Sequence, residues 1–229
     1  MNRSEFLSTG ATASLIAATG VPGGTHFVER KSDFDGAAFA RIAGRPAEIR
    51  QVWEAVSFHP QMFNNIKNAL NGLQFGFGYP ANAIAIVVAS HGPSSAYTYS
   101  NEVWSKYRIA EAFKLNDPEG KPYSGNVFLP AKSAGSSNDP DSEDSMYQDT
   151  SIQALQKRGV VFLTCHTAVE EQSRTLVKNG FAPSGMTTQE VANDILTHLI
   201  PAAVVVPSMV ATIAVLQAKY KYTYATLTF

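Results

Sequence analysis

Residues 158–172, "RGVVFLTCHTAVEEQ", hold the chain's single cysteine, Cys165, where an apolar run gives way to a helical pattern. "GVVFLT" is short, uninterrupted and rich in β-branched residues, the signature of a strand that a sheet buries on both faces. "AVEEQSRTLVKN" then reads as a helix closed by Gly180. A buried strand that runs straight into a helix is half of a βαβ unit. The same pairing of signals recurs on either side of it.

Upstream, "AIAIVVAS" (83–90) is a second such strand, and "NEVWSKYRIAEAF" follows as a helix with Val103, Tyr107 and Ala110 on one side. "GNVFLP" (125–130) reads as a strand and "MYQDTSIQALQKR" as a helix. Downstream, "TTQEVANDILTHL" opens on a capping box between Thr187 and Glu190. "AAVVV" is the next strand, "PSMVATIAVLQAK" the next helix, and "YTYATLTF" the closing strand. This alternation predicts an α/β fold, Rossmann-like or flavodoxin-like, with a mainly parallel sheet and helices on both faces. It occupies residues 81–229 and carries an acidic insert at about 133–149.

Residues 25–80 read as an N-terminal helical extension. "RPAEIRQVWEAV" places Ile49, Val52, Trp53 and Val56 at the spacing of one helix face, with Pro46 in the first turn. "HPQMFNNIKNALNGL" aligns Phe63, Ile66, Leu70 and Leu73 in the same way. Ahead of them, residues 1–24 have the outline of an export signal: Arg3, an Ala- and Thr-rich apolar stretch, then a Gly/Pro break. "NRSEFL" is similar to the start of a twin-arginine signal, with Asn2 where the first arginine of the pair belongs. The outline points to export, with a cytoplasmic location as the alternative. The stretch from Leu7 to Val21 is short and diluted for a membrane span, which needs about 20 apolar residues, so membrane association is left open.

The chain has 229 residues, 45% hydrophobic and 16% charged, and a net charge of −1. That balance supplies no basic field for nucleic acid. A single cysteine forms no intramolecular disulfide and leaves one thiol, either inert or chemically active. The acidic run Asp139, Asp141, Glu143, Asp144 and Asp149 fails the spacing of a calcium loop: counted from Asp139, Asp144 stands where glycine belongs and Thr150 where glutamate belongs. A solvated loop is expected, and no metal site. No G-x-G-x-x-G or P-loop follows the strand at 83–90, so no nucleotide cofactor is expected.

In an open parallel sheet, ligands bind beyond the carboxyl ends of the strands. Two strands end there on chemistry-bearing residues: His91, Gly92 and Pro93 after the first, Cys165 after the third. If those strands are neighbours, as in a flavodoxin-like order, His91 and Cys165 border one crevice at the switch point. Cys165 and His91 are the candidate site residues. His166 is a poor partner for the thiol, because adjacent helical side chains do not face each other. Thr167 and Glu170 are spaced for a capping box that sets Cys165 just ahead of the helix. There the helix dipole and free N–H groups favour the thiolate, as in reactive thiols with pKa values of roughly 3.5–7.5. At the third junction, "VVVPSM", Ser208 is placed to cap the following helix.

"AIAIVVASHGP", "LQKRGVVFLTCHTAVEE" and "AAVVVPSMVATIAVLQAKYKYTYATL" together resemble the DsrE/DsrF-like proteins of sulfur metabolism. The likeness rests on the HG loop after the first strand, the G-V-x-F-x-x-C strand, and the V-P-plus-helix close. It spans roughly residues 81–229. The preceding residues look like those of exported, uncharacterised relatives. The resemblance implies a Rossmann-like homo-oligomer in which the strand-end cysteine carries sulfur as a persulfide. That makes Cys165 the sulfur acceptor of a carrier rather than a turnover enzyme, working with a sulfur-donor or sulfur-acceptor protein. The alternative is a non-catalytic oligomeric assembly protein on the same fold, with Cys165 buried.

Overall fold

Five strands, β1 (Ile49–Ala55), β2 (Ile84–Ser90), β3 (Val161–Cys165), β4 (Val204–Val206) and β5 (Thr223–Thr226), pair in the order β4-β3-β2-β1-β5, and every pair is parallel. The computed structural model describes residues 30–227 apart from 134 and 136, so the signal-like segment 1–24 lies outside the described residues. The α-helices among them are α1 (Gly36–Ala43), α2 (Gln61–Asn71), α3 (Asn101–Lys106), α4 (Ile109–Phe113), α5 (Ile152–Lys157), α6 (His166–Lys178), α7 (Thr188–Thr197) and α8 (Met209–Tyr220).

From β1 to β4 every crossover steps the same way across the sheet, and the last returns past β1 to place β5. Right-handed crossovers put a one-way run of helices on one face and a reversed crossover on the other. The core follows that rule. Phe63, Ile66 and Leu70 of α2 and Ile152 and Leu155 of α5 pack on Trp53, Ile86, Val88 and Phe162. On the opposite face, Phe39 of α1 and Met209, Ile213 and Leu216 of α8 pack on Val52, Val87 and Leu163. A third cluster joins α3, α4, α6 and α7 through Trp104, Ile109, Leu176 and Ile195. Each fully buried Phe or Leu contributes about 1.5–3 kcal/mol, so both faces matter to stability.

The α/β fold with a parallel sheet is as the sequence predicts, and the strands carrying His91 and Cys165 are indeed neighbours, with Ser90 opposite Thr164. The strand order reverses at β1, not between β2 and β3. Their end loops meet because the strands pair.

Residues 49–55 correct the helix expectation. Val52 buries on one face of the sheet, Trp53 and Ala55 on the other. Burial on both faces removes the strict alternation that identifies a strand, and the accidental 3–4 spacing of Ile49, Val52 and Trp53 imitates a helix. β1 lies between β2 and β5, so the sheet draws on residues ahead of position 81. α2 forms as expected, with Phe63, Ile66 and Leu70 buried.

"GNVFLP" is a turn rather than a strand. Asn126 is buried and its Nδ2 donates to the carbonyls of Tyr97 and Tyr99, both at 2.9 Å. Its side chain thus competes with a ladder for the local backbone. The helix read over 101–113 is split into α3 and α4 at Arg108, which is left-handed with φ 46°.

In the acidic insert, Asp139, Asp141, Glu143 and Asp144 are exposed, as expected of a solvated loop, but Asp149 is buried. Its carboxylate accepts the N–H groups of Lys132 (2.7 Å), Ser133 (2.9 Å) and Ser151 (2.7 Å). Tyr147 and Gln148 tie the insert to α2 through Asn71 and Lys67. Among the described residues, no group of three or more His, Cys, Asp or Glu is arranged to hold a metal ion. No helix among them is long and apolar enough to cross a membrane.

Asn126→Ala strands two carbonyls and opens a gap, and is expected to cost about 2–4 kcal/mol in urea unfolding. Burial opposes ionisation of Asp149, but the N–H groups and hydroxyl around it outweigh that and hold its carboxyl below the usual range. Its stabilisation is therefore complete above the ordinary aspartate range and is lost as pH falls through the folded-state value. Urea unfolding of Asp149→Asn against wild type should show a flatter loss of stability below about pH 4.

Candidate functional site

Cys165 ends β3 in extended conformation and is itself the N-cap of α6, its Sγ accepting the Ala168 N–H at 3.5 Å. The same sulfur accepts the N–H of Met209, first residue of α8, at 3.3 Å. Ser208, at the N-cap position of α8, makes no side-chain cap bond. One sulfur therefore serves the starts of two helices. Both present the positive ends of their dipoles, and N–H donors favour the anion over the thiol. The Pro207 carbonyl lies 3.9 Å from the sulfur, where a thiol proton would point. That carbonyl also accepts from Thr167, through N–H at 3.2 Å and Oγ1 at 3.1 Å, which fixes one helix start against the other. Cys165 is 5% exposed.

The expected capping box at Thr167 and Glu170 is replaced by this arrangement. Thr167 turns to Pro207, and Glu170 is buried with its carboxylate 4.0 Å from His166 Nδ1 and 3.8 Å from Arg174 Nη2. The cysteine takes the cap because its side chain already lies between the two helix starts. The box expected at Thr187 and Glu190 is present.

His91 continues the line of β2 (φ −151°, ψ 169°), and its N–H bonds the Ala55 carbonyl of β1 at 3.1 Å. Ser90 stands opposite Thr164, so His91 and Cys165 each follow the last pair of the β2–β3 ladder. Ala89 and Leu163 belong to the α1/α8 face, and alternation puts His91 and Cys165 on that face too. The His91 ring is engaged on the β1 side: Nε2 donates to Glu54 Oε1 at 3.0 Å, and Tyr224 of β5 donates to Glu54 Oε2. The bond to Glu54 pushes the Tyr224 hydroxyl above its usual range, and burial adds to this.

A second chain of bonds fixes the loop after His91. Gly92 is left-handed at φ 58°, a conformation that suits glycine. Its carbonyl accepts from Gln172 Nε2 at 2.6 Å, while Gln172 Oε1 accepts from Tyr99 at 2.5 Å. Burial pushes the Tyr99 hydroxyl far up, a hydrogen bond to Ser95 opposes this, and the charge of nearby Cys165 adds to the rise. Sequence reasoning missed Glu54, Tyr224, Tyr99 and Gln172. Glu54 was hidden by the helix reading of β1. A polar residue at the end of an apolar strand, in "QVWEA", was the available signal.

No protein-family model, curated protein or solved structure matches this chain. Fold and site together define a parallel α/β protein with a strand-end cysteine shared as a cap by two helices.

Cys165→Ala removes both caps and is expected to cost about 1–3 kcal/mol in urea unfolding. Cys165→Ser keeps an acceptor there, so it should cost less than half as much; equal losses would mean that the capping bonds contribute nothing.

Proposed function

We propose that this protein is a sulfur carrier of the DsrE/DsrF-like kind, with Cys165 as the acceptor. The supporting observation is the convergence of two helix N–H groups on one sulfur. A sulfur so placed is a nucleophile without needing an adjacent base, because the anion is stabilised where it stands. The reaction is attack of the Cys165 thiolate on the outer sulfur of a persulfide R–S–S–H. A new S–S bond forms to Cys165, the donor's S–S bond breaks, and its electron pair leaves on R–S⁻. Cys165 becomes a persulfide, and a second thiolate later takes the outer sulfur by the same step. The sulfur atom is cargo, so the protein acts as a carrier between a donor and an acceptor protein.

The 5% exposure of Cys165 favours a second reading, an assembly protein in which the sulfur is only a cap. The outward side of α8 fits that reading, with Val210 and Val215 exposed at 67% and 42%.

Intact-mass spectrometry after incubation with a persulfide donor separates the two. A carrier gains about 32 Da per sulfur on wild type, reversed by reductant, and gains nothing on Cys165→Ser. An unchanged wild-type mass, together with slow alkylation of the native thiol, would leave the assembly reading.

A further inference from the structure

The sheet has two edge strands, and the sequence treats them differently. β4 is three residues long, stands between Pro201 and Pro207, and follows Ala202, which is left-handed at φ 59°. Short length and flanking proline are devices by which proteins blunt an edge against further pairing. β5 has neither. From Tyr222 to Leu227, "YTYATL", there is no charged residue, proline or glycine, and Tyr222, Thr223, Tyr224 and Thr226 are of the aromatic or β-branched types that favour pairing. Among the described residues β5 pairs with β1 alone, so every second residue turns its N–H and C=O outward. Thr223, Tyr224 and Thr226 are exposed, Tyr224 by 44%.

The side chains best placed to shield this edge lie back over β1 instead. Thr223 Oγ1 donates to the Arg50 carbonyl at 3.0 Å, Thr226 Oγ1 to the Glu54 carbonyl at 3.3 Å, and the Tyr224 hydroxyl to the Glu54 carboxylate. A row of alternating backbone donors and acceptors left open in this way is satisfied by one kind of partner, another extended strand. A second copy of β5 meets that requirement with no charge opposing it. Tyr222 packs in the α1/α8 cluster and Ala225 and Leu227 against the α2/α5 cluster, so Tyr224 and Thr226 share the first face and Thr223 the second. A two-fold axis normal to the sheet keeps like faces together. Centred on Ala225, it sets Tyr224 opposite Thr226 of the second copy, an aromatic and β-branched pair of the kind that stabilises antiparallel strands.

We propose that β5 is the dimer edge of this protein: two copies pair antiparallel through β5 about a two-fold axis at Ala225, joining two five-stranded sheets into one. The inference does not rest on the carrier reading, because β1 and β2 separate β5 from the strand that carries Cys165. It also names a different surface from the outward side of α8. A strand pair this short buries less than a standard interface, so the dimer is weak and forms with rising concentration.

Sedimentation velocity of the full chain between about 1 and 300 μM tests this. Wild type should pass from monomer toward dimer across that range. Thr226→Lys puts a charge on the edge and should raise the dissociation constant at least about tenfold, with the far-ultraviolet circular dichroism of wild type. Val215→Lys, on the outward side of α8, should leave the constant within about twofold. Ala225→Cys in a Cys165→Ser background should give a disulfide-linked dimer under mild oxidation, because residues opposed across an antiparallel pair have Cα atoms about 4.5–5.5 Å apart, within disulfide reach. A wild type that stays monomeric throughout overturns the proposal. A dimer that Val215→Lys dissociates and Thr226→Lys leaves intact overturns it too, and assigns the contact to α8. A dimer that forms no cross-link at position 225 overturns the pairing. Should Thr226→Lys fail to fold, Thr223→Lys is read by the same criteria.

Discussion

Parallel strands cannot be joined by a tight turn, so each pair must be linked by a crossover that covers a face of the sheet. That constraint governs the rest of this molecule. It buries β2 and β3 along their whole length on both faces, Ser90, Thr164 and Cys165 at their carboxyl ends included. It also brings every strand out at the same edge. Glu54 near the end of β1, His91 just beyond β2 and Cys165 at the end of β3 therefore gather although they are remote in sequence. The reversed last crossover then delivers α8 to the face carrying Cys165 and closes the sheet with β5, which supplies Tyr224.

The parallel α/β plan was legible because it rests on local signals: apolar runs of strand length, each followed by a helical period and a cap. The Thr187–Glu190 box and the strand-end position of Cys165 were readable for the same reason. What was lost depended on pairing. β1 carries Arg50 and Gln51 next to Val52 and Trp53, and only its place between β2 and β5 selects extended backbone over helix. With β1 misread, Glu54 had no reason to approach His91. The second cap on the sulfur was hidden for a similar reason. Met209 reaches Cys165 only through the β3–β4 pairing that sets Cys165 opposite Val206. In "GNVFLP" the apolar pattern was real, since Phe128 is buried, but Asn126 turned the chain toward the core instead of into a ladder.

The sulfur's two roles, cap and candidate nucleophile, follow from one cause. A buried anion is costly unless it is hydrogen-bonded, and the N–H groups of Ala168 and Met209 meet that requirement while satisfying two helix starts that would otherwise need caps. They are held in advance of any reaction, because Thr167 clamps the Pro207 carbonyl and α6 and α8 are both anchored in the core. Donors fixed in this way need no reorganisation when charge develops, which is the condition under which electrostatic stabilisation is most effective. Burial is then compatible with the nucleophile role proposed for Cys165. The same fixed dipoles that cap on this sulfur are the ones an anion formed there would meet at the carboxyl edge of the sheet.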